Sequence, residues 1–255
     1  MPPSISTRAF IQFPPFPPSE PTHTTVLTST QHHFVDIRVL KTAPTSQISP
    51  SDLDWAFAGV SSRSGAHAQW QHWVDSRTRE AESVVDKGEM VEGGEEGVEL
   101  EKGVMVNPAT GLEGEYVEGW REVEAEVTGK VGEGAVEGVL EGLRRDGVWV
   151  EGLGKGGEGR VSVVLKHENA EVGSRGMIVR VGQRCQGVAR VGDEFGLESW
   201  EWSGDSGWQR KYVMGTMSIP CEVLNMLGDL VGKETKVGYG GKGDSIWRAV
   251  EAERF

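Results

Sequence analysis

Basic residues are in short supply. Lys and Arg number 26 against 39 Asp and Glu, leaving a net charge of −13. Neutralising phosphates requires a basic face, so nucleic acid is excluded as the natural partner. Adhesion to anionic membrane surfaces is disfavoured for the same reason. Cysteine is nearly absent. Cys185 and Cys221 are too few for a disulfide framework; both read as reduced thiols, and Cys185 as a core residue. No run approaches the ~20 apolar residues of a membrane-spanning helix, so no membrane span is expected. The first thirty residues lack an apolar stretch of export-signal type, and Pro14, Pro15, Pro17 and Pro18 interrupt their aromatic run. A reducing compartment, cytoplasm or nucleus, is the default expectation.

Catalytic signatures are also missing. There is no G-x-S-x-G elbow, phosphate-binding loop or dinucleotide fingerprint, and the glycine-rich GLGKGGEG lacks the G-K-[ST] ending. His32 and His33 are adjacent and His67 and His72 are five apart, spacings that split each pair across a strand. Carboxylates such as Glu122, Glu124 and Glu126 alternate as they would on a solvated face. No catalytic residue, cofactor or metal ligand is assigned.

What is present is period-two alternation. In HHFVDIRVL, Val35, Ile37 and Val39 share one face, and Asp36 and Arg38 take the other. Leu53, Trp55 and Phe57 alternate in LDWAFAG, placing Trp55 and Phe57 in a core. HAQWQHWVD puts Trp70 and Val74 on one face and Trp73 on the other. From Asp86 to Arg160 the texture becomes Glu, Gly and Val, with 19 acidic and 8 basic residues. GAVEGVLEGLRR has helical spacing weakened by glycine at ~1 kcal/mol each. A second β-rich block starts near Arg160, and the run from Arg175 to Asp193 reads as a strand with Arg180, Arg184 and Arg190 on one parity. One short helix is expected there, from Pro220 through CEVLNMLG.

The fold expected is mainly β: two successive antiparallel β-barrel domains with one short helix in the C-terminal half. Residues 1–29 read as a Pro-rich tail or lead-in strand, 30–128 as the first barrel with a Glu/Gly-rich loop, 129–158 as a Gly-rich linker, and 159–255 as the second barrel.

Two surfaces could receive a partner by charge: the stripe of Arg180, Arg184 and Arg190, and the acidic Glu92, Glu95 and Glu96. Ser83, with Glu80 three residues upstream, has the form of an acid-directed kinase site. Nine tryptophans beside three tyrosines suit either a filled barrel or an aromatic-lined cavity.

Several of these segments resemble the fungal Hri family, the casein-kinase-I-interacting proteins. They are Leu53 to Gly59, Trp73-Val74-Asp75, Tyr116 to Glu122, Val163 to Lys166, Gly176 to Gly182 with Gln186-Gly187, and Trp247 to Glu251. The resemblance spans roughly residues 30–255. It implies two lipocalin-like barrels, a cytoplasmic and nuclear location, association with a casein-kinase-I-type kinase, and a link to the protein-translocation machinery. It implies no activity and no catalytic residues. A non-catalytic adaptor is therefore the leading expectation. The alternative is a barrel that binds a small apolar molecule, or an isomerase or cyclase using such a cavity. Cavity volume separates the two.

Overall fold

A computed structural model describes residues 2–108, 110–129, 136–155, 159–239 and 245–255. Alternation closes the first half of the chain into a barrel. Its first strands are β1 (Ser4–Gln12), β2 (Thr22–Thr28) and β3 (His33–Leu40). The two-residue β4 (Ser46–Gln47) leaves the barrel. Then β5 (Leu53–Ser64), β6 (His67–Asp75), β7 (Val85–Val91), β8 (Glu99–Val106) and β9 (Glu113–Val123) follow as a meander. The closure is β9 pairing with β1, giving eight antiparallel strands. Residues 4–28, read from sequence as a tail or lead-in, thus supply two strands without which the barrel would stay open.

The second half builds β10 (Val148–Glu151), β11 (Val161–Asn169), β12 (Ser174–Val181), β13 (Arg184–Val191), β14 (Glu194–Ser203), β15 (Gly207–Met214), β16 (Lys236–Tyr239) and β17 (Ile246–Arg254). These form a nine-stranded sheet in the order β10-β16-β17-β11-β12-β13-β14-β15-β4. The expectation of two barrels needs correction: one barrel closes, and the second sheet is open, ending at β10 and β4 among the described residues. Both faces of its central strands are already covered. One face packs on the barrel and the other on helices α1 (Val136–Arg145) and α2 (Cys221–Leu227). α2 matches its sequence signal, with Pro220 at the N-cap. α1 forms despite Gly138 and Gly142, because Val136, Val139, Leu140 and Leu143 pack against the second core. Residues 129–158 therefore contain a helix and an edge strand. Residues 130–135 and 156–158 of that span lie outside the described residues.

Two cores result. The first lies between barrel and sheet: Ile5, Leu27, Val35, Ile37, Val39, Ala56, Ala58 and Val74 meet Val164, Met177, Val179, Val181, Val188 and Leu197. At about 1.5–3 kcal/mol for each large apolar side chain buried, this seam is a principal stabiliser of the joined halves. The second holds Val223, Leu224 and Leu227 of α2 against Ile178, Cys185 and Trp247. Cys185 and Cys221 are both buried and free in this core. Glu251 of β17 ties the halves by polar contacts, accepting from Ser29 Oγ at 2.6 Å and the Gln31 N–H at 3.2 Å.

Candidate functional site

Apolar residues of the barrel strands point outward to the shared core, so the intervening residues point into the barrel. On β3 these are Phe34, Asp36 and Arg38, and on β5 Trp55 and Phe57. Ala56 and Ala58 face the shared core. Leu53 does not follow Trp55. A register shift beside it turns Leu53 to the shared core. A second shift between Ala58 and Gly59 sends Val74 outward while Trp70 and His72 point in, which corrects the shared face read for Trp70 and Val74.

The interior is not filled. It holds a cavity of about 630 Å³. Phe34, Phe57, Trp70, Trp120, Val26 and Met90 supply apolar wall; Asp36, Arg38, Glu101, Tyr116 and Glu118 supply polar wall. The exposed Ser62, Arg63 and Lys87 are also part of its lining. This volume lies within the range of small-molecule pockets.

Two hydrogen-bonded networks border it. In one, Glu118 receives Arg8 Nη1 at 2.5 Å and Arg38 Nη1 at 3.3 Å. Arg8 also binds Glu20, and Arg38 Nη2 donates to Asp36 Oδ2 at 2.8 Å. Burial works against the Arg38 charge, but Asp36 and Glu118 outweigh it and hold its pKa above the ordinary value. Asp36 is pushed the other way: burial dominates its arginine partner and raises the carboxyl. Its Oδ1 has no hydrogen-bond partner among the described residues. Glu101, opposite Glu118 on the neighbouring strand, accepts from Tyr116 Oη at 2.6 Å and Trp120 Nε1 at 3.0 Å. Burial first, and Glu118 second, push its carboxyl up to about 8, which favours the protonated form near neutral pH.

In the other network, His72 lies between two carboxylates. Nδ1 is 2.8 Å from Asp75 and Nε2 is 3.1 Å from Asp86, which lines the cavity. Its ring stacks on Phe57 with centroids 4.3 Å apart. Burial opposes the imidazolium, but its hydrogen bonds to Asp75 and Asp86 outweigh it and raise the pKa. Asp75 also receives the Trp55 indole N–H and the Arg77 backbone N–H.

The residues selected from sequence lie elsewhere. Residues 175–193 form a hairpin, not one strand, with Val181 opposite Arg184 and Arg180 opposite Cys185. Facing pairs share a side, so crossing the turn inverts the parity. Arg180 therefore falls on the helix-covered face, buried with Cys185, and is removed as a partner contact. It donates to Leu224 O and to Thr128 Oγ1, and it lies 4.8 Å over the Trp208 ring. Arg184 pairs with Glu201 at 2.7 Å. Arg190 donates to the carbonyls of Asp75 and Ser76, tying sheet to barrel. The three arginines thus form no stripe. Glu92, Glu95 and Glu96 are exposed together between β7 and β8, and Glu95 is 3.3 Å from Arg121. Ser83 is exposed, with its hydroxyl donating to Glu80 O. Among the described residues no cluster has the make-up of a metal site, and no helix is long and apolar enough to cross a membrane.

The chamber residues escaped sequence reading because charged residues alternating with Val and Ile look solvated. The available signal was closure: a meander that closes turns its second face inward.

A family profile described as Protein HRI1 matches residues 4–251. The chain belongs to this family. The structure is similar to the crystal structure of the uncharacterized protein YLR301w from Saccharomyces cerevisiae, with a TM-score of 0.68 at 16% identity, covering 98% of this chain and 99% of that one. At that identity the likeness speaks for the fold alone. No curated protein matches the sequence.

Proposed function

We propose that the closed barrel is a binding chamber for a small molecule with an apolar body and a polar head. The supporting observation is the cavity of about 630 Å³, walled by aromatic rings yet bordered by buried, hydrogen-bonded charge. A barrel serving only as a scaffold gains stability by filling its interior, since empty space forfeits packing contacts. Buried charges carry a desolvation cost that a structural core would avoid. The chamber is the small-ligand alternative raised by the sequence, with a more polar interior than expected. Titration with the neutral fluorophore N-phenyl-1-naphthylamine tests it. Saturable binding at one site per chain is expected, and no fluorescence change would overturn the reading.

A second reading concerns the outer surface. Association with a casein-kinase-I-type kinase, and a link to the translocation machinery, are proposals drawn from the family resemblance. The exposed acidic loop of Glu92, Glu95 and Glu96 supports a charge-steered contact, now without the arginine stripe. Direct binding of purified kinase to the chain, weakened when these three are changed to Gln, is the expected result. This contact and the chamber use different residues and can coexist.

A further inference from the structure

We infer that the chamber selects an organic cation: a primary amine with an aliphatic or aromatic body, its ammonium group received by Asp36 and Glu101. This rests on the chamber reading and adds the chemical class of the occupant.

Three observations carry it. First, Asp36 Oδ1 is an acceptor without a partner among the described residues, on a residue that is 3% exposed and lines the cavity. Its other oxygen is fully engaged with Arg38. A buried carboxylate oxygen left unpaired costs free energy that a ligand N–H would recover. Second, negative groups exceed positive ones along the cavity wall: Asp36, Asp86, Glu99 and Glu118, with Glu101 protonated until a cation arrives, against Arg38, Arg63 and Lys87. At the rim, Arg63 is spent on Glu99, and Lys87 is exposed. Third, Phe34, Phe57, Trp70 and Trp120 line the same space, and a cation gains from the faces of such rings.

Glu101 gives the inference a distinctive signature. The groups facing it are Glu118, Tyr116 and Trp120 from β9 and Arg38 from β3. Both of its hydrogen-bond partners donate to it, so neither receives its carboxyl proton in the empty chamber. An arriving ammonium keeps its own protons and stabilises the carboxylate. Glu101 then releases its proton to the buffer base, and the bound state holds an ammonium–carboxylate pair.

The test is calorimetric titration of the full chain with octylamine, octanol and octanoate, which share one apolar body. Running each near neutral pH in phosphate and in Tris separates buffer ionisation from binding heat. The expected result is octylamine binding at least about tenfold tighter than either analogue, with release of most of one proton. Glu101→Gln should abolish the release, and Asp36→Asn should weaken octylamine with little effect on octanol. Octanol or octanoate binding as tightly as octylamine would overturn the cation inference while leaving a chamber in place. Octylamine binding without proton release would overturn the role of Glu101. Binding of none of the three overturns the inference, and the neutral fluorophore then decides whether the chamber itself survives. The wild-type comparison requires no variant to fold.

Discussion

Trp55 donates its indole N–H to Asp75 Oδ1 across 3.0 Å, from β5 to β6 inside the barrel. The second Asp75 oxygen meets His72, so one buried carboxylate joins the aromatic wall to the imidazole beside the cavity. Trp55→Ala should cost about 3–5 kcal/mol from lost burial. Trp55→Phe should cost less, because His72 and the Arg77 N–H still satisfy Asp75. Denaturant midpoints check both, and an unchanged midpoint for Trp55→Ala would place this ring outside the structure's stable part.

Gly59 is required by backbone contact. A Cβ there would sit 1.9 Å from the Gln71 carbonyl oxygen, at the register shift between β5 and β6. The obstacle is main chain, so no side-chain adjustment relieves it. Gly59→Ala should lower the melting temperature sharply or prevent folding, whereas Gly65→Ala, which meets nothing but has φ +63°, should cost only about 1 kcal/mol.

Stability should fall as pH rises through Glu101's titration. The folded carboxyl titrates at about 8, against an ordinary value of 4.5. Between those values the folded state binds more protons than the unfolded one, so raising pH favours unfolding. Glu101→Gln cannot ionise and should escape this loss. Its melting temperature relative to wild type should improve from about pH 4.5 to about pH 8 and level off above that. His72, whose pKa is raised, acts in the same direction above its ordinary value of 6.5 and is common to both proteins. Parallel curves for the two proteins would show that Glu101 is not a buried neutral acid.

How much of this was legible in the sequence depended on what each residue faced. Val35, Ile37 and Val39 revealed their strand and their shared face, because an apolar face against a core is the simplest use of alternation. The reverse face, Asp36 and Arg38, gave no sign of burial, because solvent and a closed polar chamber ask for the same residue types. Cys221 to Gly228 declared a helix through Pro220 and apolar spacing, whereas Val136 to Arg145 carried two glycines whose cost only tertiary packing offsets. Trp70 and Val74 were assigned to one face because a single-residue register shift leaves no mark in a hydrophobic pattern. The Arg180, Arg184 and Arg190 stripe dissolved at the Gly182-Gln183 turn, where parity inverts. Gly182, at φ +49°, was the residue that marked that turn.

Glu251 should act as a fastener between the halves. It is fully buried and accepts from Ser29, Gln31 and His33 across the seam. Burial pushes its carboxyl up, but those hydrogen bonds outweigh it and hold the pKa below the ordinary value. Glu251→Ala should cost about 1.5–3 kcal/mol, and the wild-type advantage should shrink as pH falls below 4.5, where protonation removes the charge. Chemical denaturation at neutral and acid pH checks the magnitude and its sign.

The central claim is that the barrel interior receives a ligand. Ala68 lines the cavity and is nearly buried, so a tryptophan there should fill the space without disturbing a partner. The decisive measurement is N-phenyl-1-naphthylamine titration of wild type beside Ala68→Trp, with melting temperatures recorded for both. The account predicts saturable binding by wild type and its loss in a variant that melts cooperatively near the wild-type temperature. Equal binding by both proteins would place the site elsewhere and contradict the chamber.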